Sequence, residues 1–502
     1  MLLGLDISTT GAKAILVDGH GAVLGTTSHA YPLNTPRPLW SEQNPEDWWH
    51  AAINSIQEVF TTTGVAPSTI QAIGLTGQMH GLVLLDKSGT ALRPAILWND
   101  QRTEEACNTL VEKIGLQNLI RITGNAAMTG FTAPKLIWVR ENEPEIYRQI
   151  AHILLPKDYI RFKLSGVHAI DCADASGTSL FDITQRAWSS EIVNRLEINP
   201  DWLPQVFEGT EVTGRVSTGG AQAAGLAPNT PIVGGGGDQA AQAVGVGAVE
   251  PGIVAITLGT SGVVFAPTSG PKIDPQGRLH AMCHSLPPDE GQGWHLMGVM
   301  LSAAGSLRWF RDTFAEGCDY TNLIALSENV PPGSEGLLFL PYLTGERTPY
   351  PDPHARGGFI GLTVRHSLPH LTRAVLEGVA FGLRDNLALL QETGLEVIQQ
   401  IRVSGGGAQS SLWRQILADV MNVELVTVNT TEGACYGAAL LAGVGAKMWS
   451  SVREACRSLI HTVDRTQPIP ANVSAYEPYY QAYRSLYPAL KSTNHFLTKQ
   501  SA

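Results

Sequence analysis

The 502-residue chain lacks several features that would assign it to a class at once. Its six cysteines stand far apart, at 107, 172, 283, 318, 435 and 456, with no Cys-x-x-Cys pair. That spacing excludes the common zinc motifs, and a chain this long needs no disulfide staples. Reduced thiols in a cytoplasmic protein are the expectation. No uninterrupted apolar run of about 18 residues occurs, so no membrane-spanning helix is expected. Basic residues are also few: 34 Lys and Arg against 45 Asp and Glu leave a net charge of −11. An acidic surface repels nucleic acid and anionic membrane, so neither is expected as a partner. The hydrolase elbow Gly-x-Ser-x-Gly is absent. The start, Met1-Leu-Leu-Gly-Leu-Asp6, has no basic region and reads as a first strand rather than a signal peptide.

Hydrophobic residues make up 43% of the chain, enough to bury large cores. The length exceeds one core of roughly 100–200 residues, so two or more domains are expected. Glycines cluster at 234–237, 356–361 and 405–407. The first and third clusters follow the β-branched runs Ile232-Val233 and Ile401-Arg402-Val403 and precede helical patterns. Strand, glycine turn and helix in succession mark an α/β fold.

Two internal echoes sharpen this. Leu5-Asp6-Ile7-Ser8-Thr9-Thr10-Gly11 lies against Ile256-Thr257-Leu258-Gly259-Thr260-Ser261-Gly262, half a chain away. Each reads as a strand, a tight polar turn and a returning strand. Ala240–Gly247 likewise echoes Ala438–Gly445, both being small-residue helical segments able to pack closely. Together they predict two lobes of similar design. The lobes should meet near 245–252, where Gly245, Gly247, Pro251 and Gly252 allow a hinge.

Turns of successive exposed N–H groups bind anions, and Thr or Ser hydroxyls add donors. Two such turns, one per lobe, suit a polyphosphate gripped from both sides. Asp6 ends the first strand, where a carboxylate suits Mg²⁺ held through water, and Lys13 across the hairpin can offset phosphate charge. Asp238 follows four glycines at a helix start, which suits an N-cap and equally a general base for a hydroxyl. Ser404-Gly405-Gly406-Gly407-Ala408 fits a nucleotide resting on a strand end and a helix start. It matches neither Gly-x-Gly-x-x-Gly nor the P-loop. A polar and aromatic set suits a sugar: Gln78, Met79 and His80, then Trp98-Asn99-Asp100, then Asp171 and Asp174.

These residues resemble the FGGY family of carbohydrate kinases over about residues 1–445. Gly130-Phe-Thr-Ala-Pro-Lys135 through Asn142 is similar to the first family signature. Gly357-Gly-Phe-Ile-Gly361-Leu362 with His370 to Glu377 is similar to the second. Trp40-Ser-Glu-Gln43, Gly77-Gln-Met-His-Gly81, Trp98-Asn-Asp100 and Leu155-Pro-Lys-Asp-Tyr159 resemble the xylulose-phosphorylating branch. The resemblance implies an actin-like ATPase (ribonuclease H-like) fold, an α/β protein with two similar lobes around a cleft. It implies an N-terminal lobe over 1–245, a C-terminal lobe over 246–445, and a helical segment over 446–502 packing on the body. The implied reaction is phosphorylation of D-xylulose by ATP with Mg²⁺. Asp238 would be the base, and Asp6 and Asp238 would hold Mg²⁺ mostly through water. Thr9, Thr10, Lys13, Gly259, Thr260, Gly305, Gly406, Gly407 and Ala408 would bind the nucleotide, and Met79 and His80 the sugar. Ser8 stands where the family more often has Gly, and Gln239 where Asn is also common. Another ketose or polyol as substrate stays open, as does an ATPase or sugar sensor. A homodimer is expected only from how common such dimers are.

Overall fold

The computed structural model describes residues 1–395 and 397–500. The apolar run Leu2–Ile7 (β1) turns through Ser8–Thr10 into Gly11–Val17 (β2), and Val23–Ala30 (β3) completes a meander. Pro45–Thr63 (α1) starts on an Asn44 cap and covers this meander, with Ser55 Oγ donating to the Ala12 carbonyl. Ala72–Gly77 (β4) runs parallel to β1. A long crossover contains helices α2 (Pro156–Ser165) and α3 (Cys172–Ser176). It leads to Val212–Arg215 (β5), Pro231–Val233 (β6) and the short Gly236–Gly237 (β7). The sheet order is β5-β6-β4-β1-β2-β3, with β7 pairing on β4.

Asp238–Gly245 (α4) leads across to the second half. There Ile253–Leu258 (β8), Gly262–Thr268 (β9), His280–Cys283 (β10) and Trp294–Met300 (β11) pair antiparallel. Helices α5 (Ala304–Phe314), α6 (Tyr320–Leu326) and α7 (Leu368–Glu392) follow. Gln400–Ser404 (β12), α8 (Ser411–Met421) and Leu425–Val428 (β13) extend the sheet on the other side of β8. The chain ends with α9 (Gly433–Gly445), α10 (Val452–Leu459), Thr462–Thr466 (β14) and α11 (Pro470–Gln500). The second sheet runs β10-β11-β9-β8-β12-β13-β14.

The two sheets repeat one plan. β3-β2-β1-β4-β6-β5 and β11-β9-β8-β12-β13-β14 share the same run of antiparallel, antiparallel, parallel, parallel and antiparallel neighbours. This is the duplicated α/β arrangement of actin-like ATPases. The parallel strands at each centre are buried on both faces, hence their near-continuous apolar runs. The segment after residue 446 departs from the helical expectation in one place. Thr462-Val-Asp-Arg-Thr466 forms β14 because β13 offers an unpaired edge to an extended, alternating segment.

The helix echo also has a physical meaning. Ala240 and Ala243 of α4 pack on Ala255 of β8 and Phe265 of β9, in the second half. α9, from the second half, lies on β1 and β4 of the first. A Cβ at Gly74 would stand 1.9 Å from the Ala438 carbonyl oxygen. Each half thus lends a helix to the other, and the two helices cross closely. A Cβ at Gly437 would stand 1.9 Å from the Ala241 carbonyl oxygen. Gly437→Ala should therefore destabilise the protein by overpacking, by about 1–3 kcal/mol. Gly219→Ala, where an added Cβ meets only Ser217 Oγ at 4.0 Å, should be neutral or slightly stabilising. Thermal denaturation of both variants checks this, and equal losses at the two sites would count against the crossing as a strict constraint.

Candidate active site

The first turn is built by its own hydroxyls. Ser8 Oγ donates to the Gly11 carbonyl at 2.9 Å and accepts from the Thr10 N–H at 3.3 Å. Tyr31 Oη donates to the Ser8 carbonyl. Ser8 therefore closes the turn with its side chain, and its departure from Gly is absorbed locally. Thr9 is held on three sides: its Oγ1 accepts from Trp98 Nε1 at 2.9 Å and donates to Gln78 Oε1 at 3.4 Å, and its carbonyl accepts from Gln43 Nε2 at 2.8 Å. Thr10 is exposed beside it.

The second turn is tied to the start of α5. The Thr260 carbonyl accepts from Ala303 N–H at 2.9 Å and Gly305 N–H at 3.1 Å, and the Gly259 carbonyl accepts from Ala304 N–H at 2.8 Å. A cavity of about 770 Å³ opens here, lined by Gly259, Thr260, Gly305, Gly406 and Gly407. Its other walls carry Arg308, Tyr320, Thr321 and Glu328, which sequence reasoning missed. They sit on and around α5 and α6, helices with no motif to mark them. Ala408 is not a cavity-lining residue. It is buried, and its carbonyl accepts from Arg414 Nη1 at 2.7 Å.

Asp6, near the end of β1, and Asp238, at the start of α4, lie within electrostatic reach of each other. Burial pushes Asp6 up to about 6, against the pull of Lys13. Burial, with the charge of Asp6 adding to it, pushes Asp238 up to about 7, and Gln239 offsets this slightly. Gln239 Nε2 donates to Asp238 Oδ1 at 3.2 Å. The Asp238 shift is larger than a base that merely orients a hydroxyl requires. Its causes are desolvation and a like charge, both of which a bound cation relieves. Asp6 Oδ1 is buried with no hydrogen-bond partner. Two mutually opposed carboxylates and one orphaned oxygen fit a divalent cation. Among the described residues no cluster of three or more His, Cys, Asp or Glu side chains forms a metal site. Any such cation would take its remaining ligands from phosphate and water.

Lys13 is not a free cation. Its Nζ lies 3.2 Å from Glu432 Oε2, just before α9, and this pairing raises its pKa despite burial. Lys13 thus ties the first turn to a segment from the other half of the chain.

Met79 lies against Gly237, the residue before Asp238. A Cβ at Gly237 would stand 2.7 Å from Met79 Cγ. His80 has φ of 67°, a left-handed conformation that aims its ring at α3. Its Nδ1 bonds the Gly177 carbonyl at 2.6 Å and its ring stacks on Phe131 at 4.2 Å. Burial holds its pKa down at about 3, with Lys135 and Arg347 lowering it further and the Gly177 bond opposing. His80 is therefore a neutral imidazole. Met79, Phe131, Met282 and Met128 form an apolar wall around it.

The other sugar candidates serve the scaffold. Asp171 and Asp174 are fully buried and bind Lys157 Nζ at 2.6 and 2.8 Å. Asp158 joins them at 2.7 Å and also pairs with Arg161. Arg161 Nη2 donates to the Gly234 carbonyl, at the head of the glycine run that ends in Asp238. Asp100 is buried against Arg102 and the Ser41 N–H. Trp40 stacks under Arg102 at 3.6 Å, and Trp48 is core. Trp98 is the most open of these tryptophans, and its Nε1 holds Thr9 of the first turn.

The sequence patterns of the FGGY family of carbohydrate kinases match most of the chain. Its N-terminal domain matches residues 1–245 and its C-terminal domain 254–446. A xylulose kinase of Escherichia coli (strain K12) is 41% identical over 98% of this chain and 99% of its own length. The crystal structure of a xylulose kinase from Brucella ovis is 40% identical, with a TM-score of 0.91 over 98% of this chain and 99% of that one. A gluconate kinase from Lactobacillus acidophilus is 28% identical, with a TM-score of 0.91 over 97% of both chains. Among the described residues no helix is long and apolar enough to cross a membrane.

Proposed function

The chain belongs to the FGGY family of carbohydrate kinases, and from that premise we propose that it transfers the γ-phosphate of ATP to the terminal hydroxyl of D-xylulose, giving D-xylulose 5-phosphate. The observation that supports this best is the contact of the Gly237-Asp238 segment with Met79, the neighbour of His80, together with the mutual influence of the Asp238 and Asp6 carboxyls. The nucleotide base and ribose occupy the 770 Å³ cavity, and the polyphosphate reaches between the turns at Thr9-Thr10 and Gly259-Thr260. Backbone N–H groups and threonine hydroxyls of both turns stabilise charge on the transferring group. Asp238 orients the sugar hydroxyl and accepts its proton as the O–P bond forms. Mg²⁺, when bound near Asp6 and Asp238, neutralises phosphate charge. Closure of the lobes excludes water, which would otherwise take the phosphoryl group.

The lobes divide at about residue 245, and the described residues after 445 return to both. The six free cysteines, four of them buried, support a reducing, cytoplasmic setting. A homodimer is the expected assembly, read by light scattering.

The decisive experiment is ADP production with Mg-ATP and a panel of D-xylulose, D-ribulose, L-ribulose, glycerol and gluconate, beside a no-sugar control. Strong stimulation by D-xylulose is expected. Stimulation by gluconate alone would move the substrate to an aldonate, and stimulation by none would favour a sensor.

A further inference from the structure

The segment Gly345-Glu346-Arg347-Thr348 belongs to the second half of the molecule and is fixed there by its backbone and flanking side chains. Glu346 Oε1 accepts from the Leu301 N–H at 3.0 Å. Thr348 N–H donates to the Val299 carbonyl at 3.0 Å, and Thr348 Oγ1 to the Arg278 carbonyl at 2.9 Å. The last bond sets Arg347 beside the strand that carries His280. Burial lowers the pKa of Arg347, and Glu346 offsets this in part. Its guanidinium nevertheless makes no hydrogen bond or ion pair among the described residues. Arg347 is only partly buried, so its uncommitted donors are open to a ligand that enters from solvent.

Its neighbourhood indicates the ligand. Phe131 lies between His80, at 4.2 Å, and His280, at 5.8 Å. Both histidines feel the charge of Arg347. Each spends Nδ1 on the protein: His80 on the Gly177 carbonyl, and His280 on Asn125 Oδ1 at 2.8 Å. The Asn125 amide nitrogen donates elsewhere, to the Thr123 and Ala281 carbonyls. Both rings thus carry their proton on Nδ1, and both Nε2 atoms are left as acceptors. Acceptors suit the hydroxyl hydrogens of a sugar. A ketone oxygen has no hydrogen to give and needs a donor. Several nearby donors are already engaged. Lys135 Nζ donates to the His80 and Gly130 carbonyls, Thr132 Oγ1 to the His80 carbonyl, and Trp98 Nε1 to Thr9. Arg347 supplies only donors, and it has none committed.

We propose that Arg347 reaches across from the second lobe to bind the carbonyl end of an open-chain ketose, with the hydroxyl to be phosphorylated lying at Asp238. The sugar then touches both lobes, and the carbonyl is what distinguishes a ketose from its polyol. This rests on the reading of the substrate as D-xylulose. It adds a specificity residue that no signature of the family marked in the sequence.

The test compares D-xylulose with xylitol, which has a hydroxyl where the ketose has its carbonyl. Affinities are measured by calorimetry, and kcat/KM where turnover occurs, for wild type, Arg347→Gln and Arg347→Lys. Arg347→Gln should weaken D-xylulose about 10- to 100-fold, the range for losing a hydrogen bond to a charged group. Xylitol should change far less, so the ketose preference collapses. Arg347→Lys should fall between the two and guards against a fold defect in the Gln variant. KM for ATP should not move. Equal losses for both ligands would reduce Arg347 to a structural role and overturn the proposal, as would unchanged D-xylulose affinity. A wild type that prefers xylitol, or binds no ketose, would instead overturn the substrate reading and the proposal with it.

Discussion

Asp238→Asn should lower kcat for sugar phosphorylation by about 10²- to 10⁴-fold, the range for loss of a positioned general base. The substitution keeps the size of the side chain at the start of α4 and keeps an oxygen for Gln239 Nε2, which donates to Asp238 Oδ1 at 3.2 Å. The fold should therefore survive. Removing one of two facing carboxylates also removes the repulsion that Asp6 exerts on Asp238. The melting temperature without ligands should consequently hold or rise, while turnover collapses. Such opposite movement is the signature of a residue kept at a cost in stability. ATP affinity should change little, because the nucleotide cavity is lined from other segments. Steady-state kinetics, calorimetric ATP binding and thermal denaturation together check this. Near-normal turnover, or a fall in turnover matched by a fall in melting temperature, would reject Asp238 as the base.

The parts of this architecture that were legible in the sequence are those written locally. Ser8-Thr9-Thr10-Gly11 and Gly259-Thr260-Ser261-Gly262 are turns whose residues suffice to make them, so their repetition announced two lobes. The small-residue helices were visible for the same reason, since glycine and alanine record close approach in the chain itself. The exchange of those helices between halves was not visible, because α9 lies against strands more than 350 residues earlier, a fact no local pattern carries. The same limit governs charge. Asp171 and Asp174 read as sugar ligands because acidic residues near a glycine turn suit that role, yet Lys157 claims both from 14 and 17 positions away. Lys13 reads as a free phosphate ligand until Glu432 meets it from the far end of the chain. Arg347 lay in no recognised motif, and only its lack of a partner, within electrostatic reach of His80 and His280, singles it out.

Lys157→Met should be the most destabilising of these substitutions, by about 3–5 kcal/mol, the range for breaking a buried ion pair from one side. The network sets two cations, Lys157 and Arg161, against three carboxylates, Asp158, Asp171 and Asp174, all with no exposed side-chain surface. Burial opposes the charge on Lys157, but the three carboxylates outweigh it and raise its pKa. Asp174 is pushed well above the usual carboxylate range, by burial first, despite Lys157 and with Asp171 and Asp158 adding to it. Removing Lys157 leaves Arg161 alone against three acids, with no water to screen them. The loss should also reach the active site, because Arg161 holds the Gly234 carbonyl and Asp174 Oδ1 sits 3.1 Å from where a Gly237 Cβ would be. Charge counting supplies the control. Lys157→Met with Asp174→Asn takes out one acid together with the lost cation, so it should recover part of the lost stability and soluble yield. The double-mutant cycle should therefore show a coupling of at least about 1 kcal/mol between the two positions. Additive losses in thermal or urea denaturation would mean that Lys157 matters for its packing alone, and that the buried charges beneath Asp238 are balanced in some other way.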